Sequence, residues 1–409
     1  MTDPIHIWFD GLNSPIRLQG CPELVGAIRQ ILPQWPFVIA PVSDDIEVAA
    51  TIRSVGNRRY EIEPRTGYGG DRRYDTVDAI CDMIVQLSWE LLRSGQWLMC
   101  LHAAAIEMAG RLVIVPNMRR AGKSTLTACL AARGHRVFSD DFFPVSLSGD
   151  GYLQGHATGI CPRLRLPVPE GFSAGFQEWV QAHSGPGNRR YQYLALPELP
   201  RHGAACPLGS IVVLDRRETG SVEFGELDLA EAIAGLLYQN FARSVHSGTI
   251  LQSVSELLSA VRPYRLSYSS AEEAAEFLEG RFGDWSDAPA LVGNAPAFRL
   301  VAEEDLANPR PNFDPSLAYV RSEGFLEVAM NDDHYLSDGS GLGIHRLNKG
   351  ALAIWRLLEE PMRLDQICDV LAVAFPDTPH ETIERDSSQA LRMFVENRLA
   401  SAAASGVLV

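Results

Sequence analysis

Cysteine is scarce and unorganised in this chain. Its seven cysteines, at positions 21, 81, 100, 129, 161, 206 and 368, form no C-x-x-C pair and no repeated Cys/His spacing. An odd, scattered set argues against a disulfide framework and against structural zinc, and leaves most of these side chains as small core residues. Long uncharged apolar runs are missing too, so no segment reads as a membrane span. The opening MTDPIHIWFDG lacks the basic start and apolar stretch of a signal peptide, and a cytoplasmic protein is expected. Positive charge is in deficit: Lys and Arg number 36 against 51 Asp and Glu, for a net charge of −15. That balance disfavours nucleic acid, whose phosphates would be repelled, and tolerates a basic peptide better. A homo-oligomer is left open.

What is present is enough to build two or three domains. The chain has 409 residues, of which 46% are apolar and 21% charged, as in ordinary globular protein. Its most informative stretch is Pro116 to Thr125, PNMRRAGKST, which follows a strand-like run, Arg111 to Val115, and opens a helix-like run, Ser124 to Arg133. Strand, loop and helix in that order are what a phosphate-binding loop requires. Backbone N–H groups at the helix N-terminus surround phosphates, the lysine reaches their oxygens and the hydroxyl holds Mg²⁺. Those roles fall to Lys123 and Ser124, with Asn117, Arg119, Arg120, Ala121, Gly122 and Thr125 as the rest of the cradle. Asn117 stands where the pattern has its first glycine, and Asn is the non-glycine residue most tolerant of positive φ. Arg119 and Arg120 replace small residues, either adding charge against phosphates or projecting into solvent.

Asp140 and Asp141 end a short strand-like stretch, Arg136 to Ser139. Paired carboxylates near a bound triphosphate have two uses: one holds Mg²⁺, the other accepts the proton of an attacking hydroxyl. An exposed acidic turn is the plainer alternative. His102 ends the strand-like Trp97–Leu101; it reads equally as a structural histidine or as one that contacts phosphate or helps move a proton. Arg163 and Arg165 share a face if Cys161 to Arg165 is extended, which suits a transferring phosphoryl group or an acidic substrate, or else a solvated strand edge. Ser184 to Tyr193, SGPGNRRYQY, reads as a mobile loop over a site or an ordinary surface loop.

Around these motifs the chain divides. Residues 1–95 read as an α+β module, with strands at His6–Phe9, Phe37–Ala40, Glu47–Ser54 and Tyr60–Glu63 and a helix from Thr76 to Arg93. Residues 96–283 alternate strand and helix, as an α/β nucleotide domain should, including Ser210–Leu214, Leu229–Phe241, Leu251–Ala260 and Tyr264–Tyr268. Residues 284–316, rich in Ala, Pro, Asn and Asp, read as a linker. Residues 317–409 begin with strands at Gly324–Met330 and Asp333–Leu336 and continue with helices at Lys349–Leu358, Arg363–Ala374 and His380–Asn397, a module suited to binding.

The order LHAAA, PNMRRAGKST, RGHRVFSDD, carrying His102, the loop and Asp140-Asp141, resembles the catalytic domain of HPr serine kinase/phosphorylase. It resembles most closely the relatives of that family that act on ribosomally made, modified peptides, including lasso-peptide kinases. The likeness spans residues 96 to 283. It implies a P-loop α/β fold and ATP-dependent phosphorylation of a Ser or Thr hydroxyl, with Lys123 and Ser124 serving ATP and Mg²⁺, Asp141 as a second metal-binding residue and Asp140 as general base. Residues 324 to 409, with LNKGALAIWRLLEE followed by RLDQICDVLAVAF, are similar to PqqD-type domains. That resemblance implies a winged-helix-like module that binds the leader of a precursor peptide, by adding it as a strand to a sheet edge. A nucleotide-gated peptide scaffold without transfer chemistry, or another ATP-dependent peptide modification, is the alternative reading.

Overall fold

The computed structural model describes residues 3–403 except 44, 66–71, 96, 117–120, 169–170, 243, 287, 290, 293–297, 303–304 and 306–308. Asn117, Arg119 and Arg120 therefore lie outside the described residues. The fold is mixed α/β and divides into two compact units.

The first unit comprises Met1–Asp228, Tyr238–Ala242 and Leu257–Ala295. Its N-terminal part is a five-stranded sheet in the order Phe37–Pro41, Ile5–Phe9, Ile16–Gln19, Ala50–Ser54, Tyr60–Pro64. The strand Ile16–Gln19 and the helix Leu24–Ile31 were not legible from pattern. The strand has four residues, and the helix has eight, includes Gly26 and starts without a side-chain cap. Helix Thr76–Ser94 follows the periodicity closely. Asp75 caps it by accepting the Asp78 N–H at 2.8 Å, and Ile80, Met83, Ile84, Leu87 and Leu91 bury its apolar stripe.

A nine-stranded sheet follows in this unit. Its main path runs Met99–Leu101, Phe143–Leu147, Leu153–His156, Ala205–Arg216, Arg111–Val115, Ala104–Met108, Arg136–Ser139. Arg111–Val115 and Pro263–Tyr268 both run parallel to Ala205–Arg216, and Leu112 to Val115 are all apolar and buried, as in a parallel strand covered on both faces. The core below them joins Val113, Val115 and Leu126 to Val212, Leu266 and Leu278. Loops at the ends of these strands carry the motifs.

Ser184 to Tyr193 is not an open loop. Ser184–Gly187 and Tyr191–Leu194 pair antiparallel, and Tyr191–Leu194 also pairs with Arg163–Arg165, giving a three-stranded sheet. Asn188 holds the turn. Its amide donates to Asp75 and Asp78 at 3.1–3.2 Å, and its oxygen accepts the Arg190 and Tyr191 N–H groups. The Gly, Asn and Pro content that reads as loop is turn chemistry here.

The second unit comprises Leu229–Leu237, Arg243–Glu256 and Pro296–Val409. Two three-stranded sheets carry it: Leu326–Met330, Asp333–Ser337 and Ile344–Leu347 in one, and Met362–Arg363, Ala318–Arg321 and Ala400–Ala402 in the other. Helices Lys349–Leu357, Leu364–Ala374 and His380–Glu396 enclose the fully buried Trp355, with Phe325 edge-on at 5.0 Å and Phe394 at 5.5 Å. Residues 229–237 and 243–256, whose periodicity reads as core patterning of the nucleotide domain, group with this unit instead. Ser247 Oγ lies 2.7 Å from Ser337 Oγ, and His246 Nε2 3.3 Å from the Gly339 oxygen. Apolar periodicity shows that a helix has a face to bury, not what buries it. No described helix is long and apolar enough to cross a membrane.

Candidate active site

The strand Arg111–Val115 delivers the chain to the loop, and the helix Lys123–Ala132 leaves it. Gly122 is the hinge. Its φ of +93° lies in the left-handed region, and a Cβ there would come 2.3 Å from Tyr268 Oη. Only glycine fits both constraints. Tyr268, at the end of the parallel strand Pro263–Tyr268, donates its hydroxyl to the Ala121 oxygen at 3.1 Å and so fixes the approach to the helix. Thr125 and Gly122 line a cavity of about 220 Å³ with Arg216, Tyr268 and Phe172.

Lys123 Nζ donates to the backbone oxygen of Asp140 at 2.7 Å, bringing the first helical residue to the end of strand Arg136–Ser139. Burial lowers the pKa of its ammonium, while the charges of Asp140 and Asp141 oppose that fall. Ser124 is the second residue of the same helix.

The two aspartates sit in different surroundings. Asp140 is partly buried: its Oδ2 accepts the Arg163 N–H at 3.1 Å, and its buried Oδ1 has no hydrogen-bond partner among the described residues. Burial raises its carboxyl pKa above the usual value against the pull of Lys123. Asp141 is half exposed and meets His102 Nε2 at 3.0 Å and Arg163 Nη2 at 3.6 Å. Loss of surrounding water opposes its ionisation, but the His102 hydrogen bond and the Arg163 and Lys123 charges outweigh that and hold it at about 2. One carboxylate is thus poised to take a proton and its neighbour is firmly ionised.

His102, Lys123, Asp140, Asp141 and Arg163 therefore come together. Arg165 lies two residues farther along its strand, exposed, 5.8 Å from the Tyr191 ring, with no contact to the aspartates. Residues with no motif of their own complete the cluster. Cys81 on the helix Thr76–Ser94 accepts from Arg163 Nη1 at 2.9 Å and lies 3.1 Å from Tyr193 Oη, so the N-terminal module helps orient the arginine beside Asp141. The Cys100 N–H is held by Asn240 Oδ1 at 3.0 Å and the His102 N–H by the Gln239 oxygen at 2.8 Å. Nothing in the sequence marks these supports, because each is a lone residue distant in the chain from what it holds.

Among the described residues no group of three His, Cys, Asp or Glu side chains encloses a metal by itself. The donors instead suit a cation shared with phosphate: an ionised Asp141 oriented by a histidine and the Ser124 hydroxyl. Gly122 and the Lys123 ammonium at the helix start suit phosphate oxygens. Lys123, Ser124 and Asp141 would be the residues to hold a nucleotide phosphate and its cation.

Residues 333–400 match the family described as Coenzyme PQQ synthesis protein D (PqqD). This segment is a PqqD-like domain. A solved structure described as TbiB1 in complex with the TbiA(beta) leader peptide is 24% identical, covering 21% of this chain and 99% of that one, with a TM-score of 0.19. The Hpr(Ser) kinase/phosphatase from Coxiella burnetii is 12% identical, covering 44% of this chain and 91% of that one, with a TM-score of 0.24. No curated protein matches. Within the PqqD-like domain, a groove of about 790 Å³ runs beside the strand Ile344–Leu347 and is lined by Gly350, Ala351, Ile354, Phe375, Ile383 and Met393. Among the described residues that strand pairs on one side only, with Asp333–Ser337, and its Arg346 lines the groove.

Replacing Lys123 with alanine is expected to weaken ADP binding at least tenfold, about 1.4 kcal/mol, because phosphate charge is left uncompensated in the loop. Calorimetry reads this directly, and equal binding by the two proteins would refute the assigned loop. Lys123 is one of only two lysines in the chain, the other being Lys349. Amine-reactive labelling with and without ADP, read by mass spectrometry, gives an independent check: protection is expected at Lys123 alone.

Proposed function

We propose that this chain is an ATP-dependent kinase that phosphorylates a Ser or Thr hydroxyl of a ribosomally synthesised precursor peptide, held through its leader by the PqqD-like domain. The observation that carries the reading is the juxtaposition of Lys123 at the N-terminus of its helix with an Asp140–Asp141 pair whose members differ in proton affinity. When bound, ATP supplies the phosphoryl group and Mg²⁺ offsets its charge.

The residues divide the remaining work. Lys123 balances phosphate charge at the loop. Asp140, raised in pKa by the desolvation of its carboxyl, takes the proton of the attacking hydroxyl. Asp141, held ionised by His102 and Arg163, keeps a fixed carboxylate toward the cation together with Ser124. Arg163 adds positive charge beside the transferring group, and Cys81 and Tyr193 keep it in place. The PqqD-like domain supplies substrate recognition: its groove and free strand edge suit an extended leader that pairs its main chain and places side chains in pockets.

Incubation of the protein with ATP, Mg²⁺ and candidate precursor peptides, followed by mass spectrometry, tests this. A gain of one phosphate on a Ser or Thr is expected. A gain of one nucleotide would identify a different transfer. Leader binding with no covalent change on any candidate peptide would favour the scaffold reading.

A further inference from the structure

The strand edge beside Asp141 carries more positive charge than phosphoryl transfer uses. Arg163, Arg165 and Arg190 all lie against the ring of Tyr191, their guanidinium carbons 4.5, 5.8 and 5.7 Å from its centroid. Two have counter-charges: Arg163 faces Asp141 at 3.6 Å, and Arg190 pairs with Asp78. Arg165 is exposed and has no carboxylate partner among the described residues. Three guanidinium groups around one ring repel one another, so the backbone must hold them there. Arg165 stands opposite Tyr191 in the antiparallel register, and the Leu166 N–H donates to the Arg190 oxygen at 2.8 Å. Asn188 ties the intervening turn to Asp75 and Asp78. Of the three, Arg165 alone is left without a carboxylate among the described residues, and its guanidinium presents a donor fork that matches one. The overall charge of −15 does not cancel it, because screening over about 8 Å at physiological ionic strength makes the near arginines dominate.

We propose that Arg165, with the Tyr191 ring, forms a carboxylate subsite that selects acceptor peptides bearing an Asp or Glu close to the acceptor hydroxyl. It rests on the reading of Asp140 and Asp141 as the transfer centre. Arg163 and Arg165 are two residues apart on one strand, about 7 Å, the span of two residues in an extended peptide. The acid therefore stands two residues from the acceptor.

The test uses the full chain with ADP and labelled, C-terminally amidated nonapeptides of glycine and alanine around one central serine. Asp, Asn or Lys is placed in turn at each position within three residues of that serine, and binding is read by fluorescence anisotropy. Asp two residues from the serine, on one side, is expected to bind at least tenfold more tightly than Asn or Lys there. Arg165→Gln is expected to erase that preference while leaving the Asn peptide's affinity unchanged, and Arg165→Lys to retain part of it. Absence of an Asp preference in the wild type, its survival in Arg165→Gln, or equal loss for Asp and Asn peptides overturns the subsite. Anisotropy needs no turnover, so failed phosphorylation counts against the kinase and not against this subsite. Efficient phosphorylation without an Asp preference counts against the subsite alone.

Discussion

Asp140→Asn is expected to lower the rate of peptide phosphorylation by about 10² to 10⁴ while leaving nucleotide affinity nearly unchanged, as loss of a positioned general base does. The separation follows from the geometry. Lys123 is held by the backbone oxygen of Asp140, which the substitution keeps, and an asparagine oxygen can still accept the Arg163 N–H. Only the capacity to take a proton is removed. Asp141 cannot substitute well, because a carboxylate held at about 2 binds a proton too weakly at neutral pH. The same assignment fixes a pH dependence. Asp140 must be ionised to act, and burial raises its pKa, so activity should fall on acidification through a pH above the ordinary carboxylate value of about 4. A rate profile whose acid limb lies at or below that value, or a fully active Asp140→Asn protein, would move the base to His102 or Asp141.

Filling the groove of the PqqD-like domain should have an effect of similar size on the proposed leader recognition. Gly350 lines it, and a Cβ built there meets only Asn348 Oδ1 at 3.6 Å, an ordinary contact, so Gly350→Trp places bulk in the groove without forcing the backbone. Leader affinity should fall by tenfold or more, and phosphorylation of full-length precursor should collapse at low substrate while leaderless core peptide at high concentration reacts as before. Tethering raises the local concentration of the core to roughly millimolar, which explains why the loss fades as substrate rises. Rate curves for precursor and core measured across a concentration series, in both proteins, provide the check, and unchanged precursor kinetics would place leader recognition elsewhere. A point substitution is a cleaner probe than deletion of residues 314–409. Residues 243–256 pack in the same unit as the C-terminal segment, and deletion would strip the partners of His246 and Ser247.

Local chemistry made some features readable in the chain alone. Strand, loop and helix around Lys123 are contiguous, and each reports through its own pattern: an apolar run, a glycine that must take positive φ, and a helix start. The helices Thr76–Ser94, Lys349–Leu357 and Leu364–Ala374 are long enough for their apolar stripe to repeat, which is why their ends fall within a residue or two of the pattern. The PqqD-like segment was legible through the resemblance of LNKGALAIWRLLEE and RLDQICDVLAVAF to that family, and residues 333–400 match it.

Tertiary structure decided what depends on residues far apart in sequence. That Asp140 Oδ1 is buried and Asp141 half exposed, though adjacent, follows from which elements cover each one, and so their opposite proton affinities could not be read from an Asp-Asp pair. Cys81, Tyr193, Asn240 and Tyr268 support the site from four distant segments and carry no motif. The glycine-rich Ser184 to Tyr193 became a hairpin because Arg163–Arg165 offers a strand to pair with, and its turn is held by the cap of another helix. The chain itself determined that Lys123 sits at a helix start with two carboxylates downstream. The fold determined which of those carboxylates can take a proton, because desolvation and charge proximity are properties of the packed neighbourhood and not of the residue.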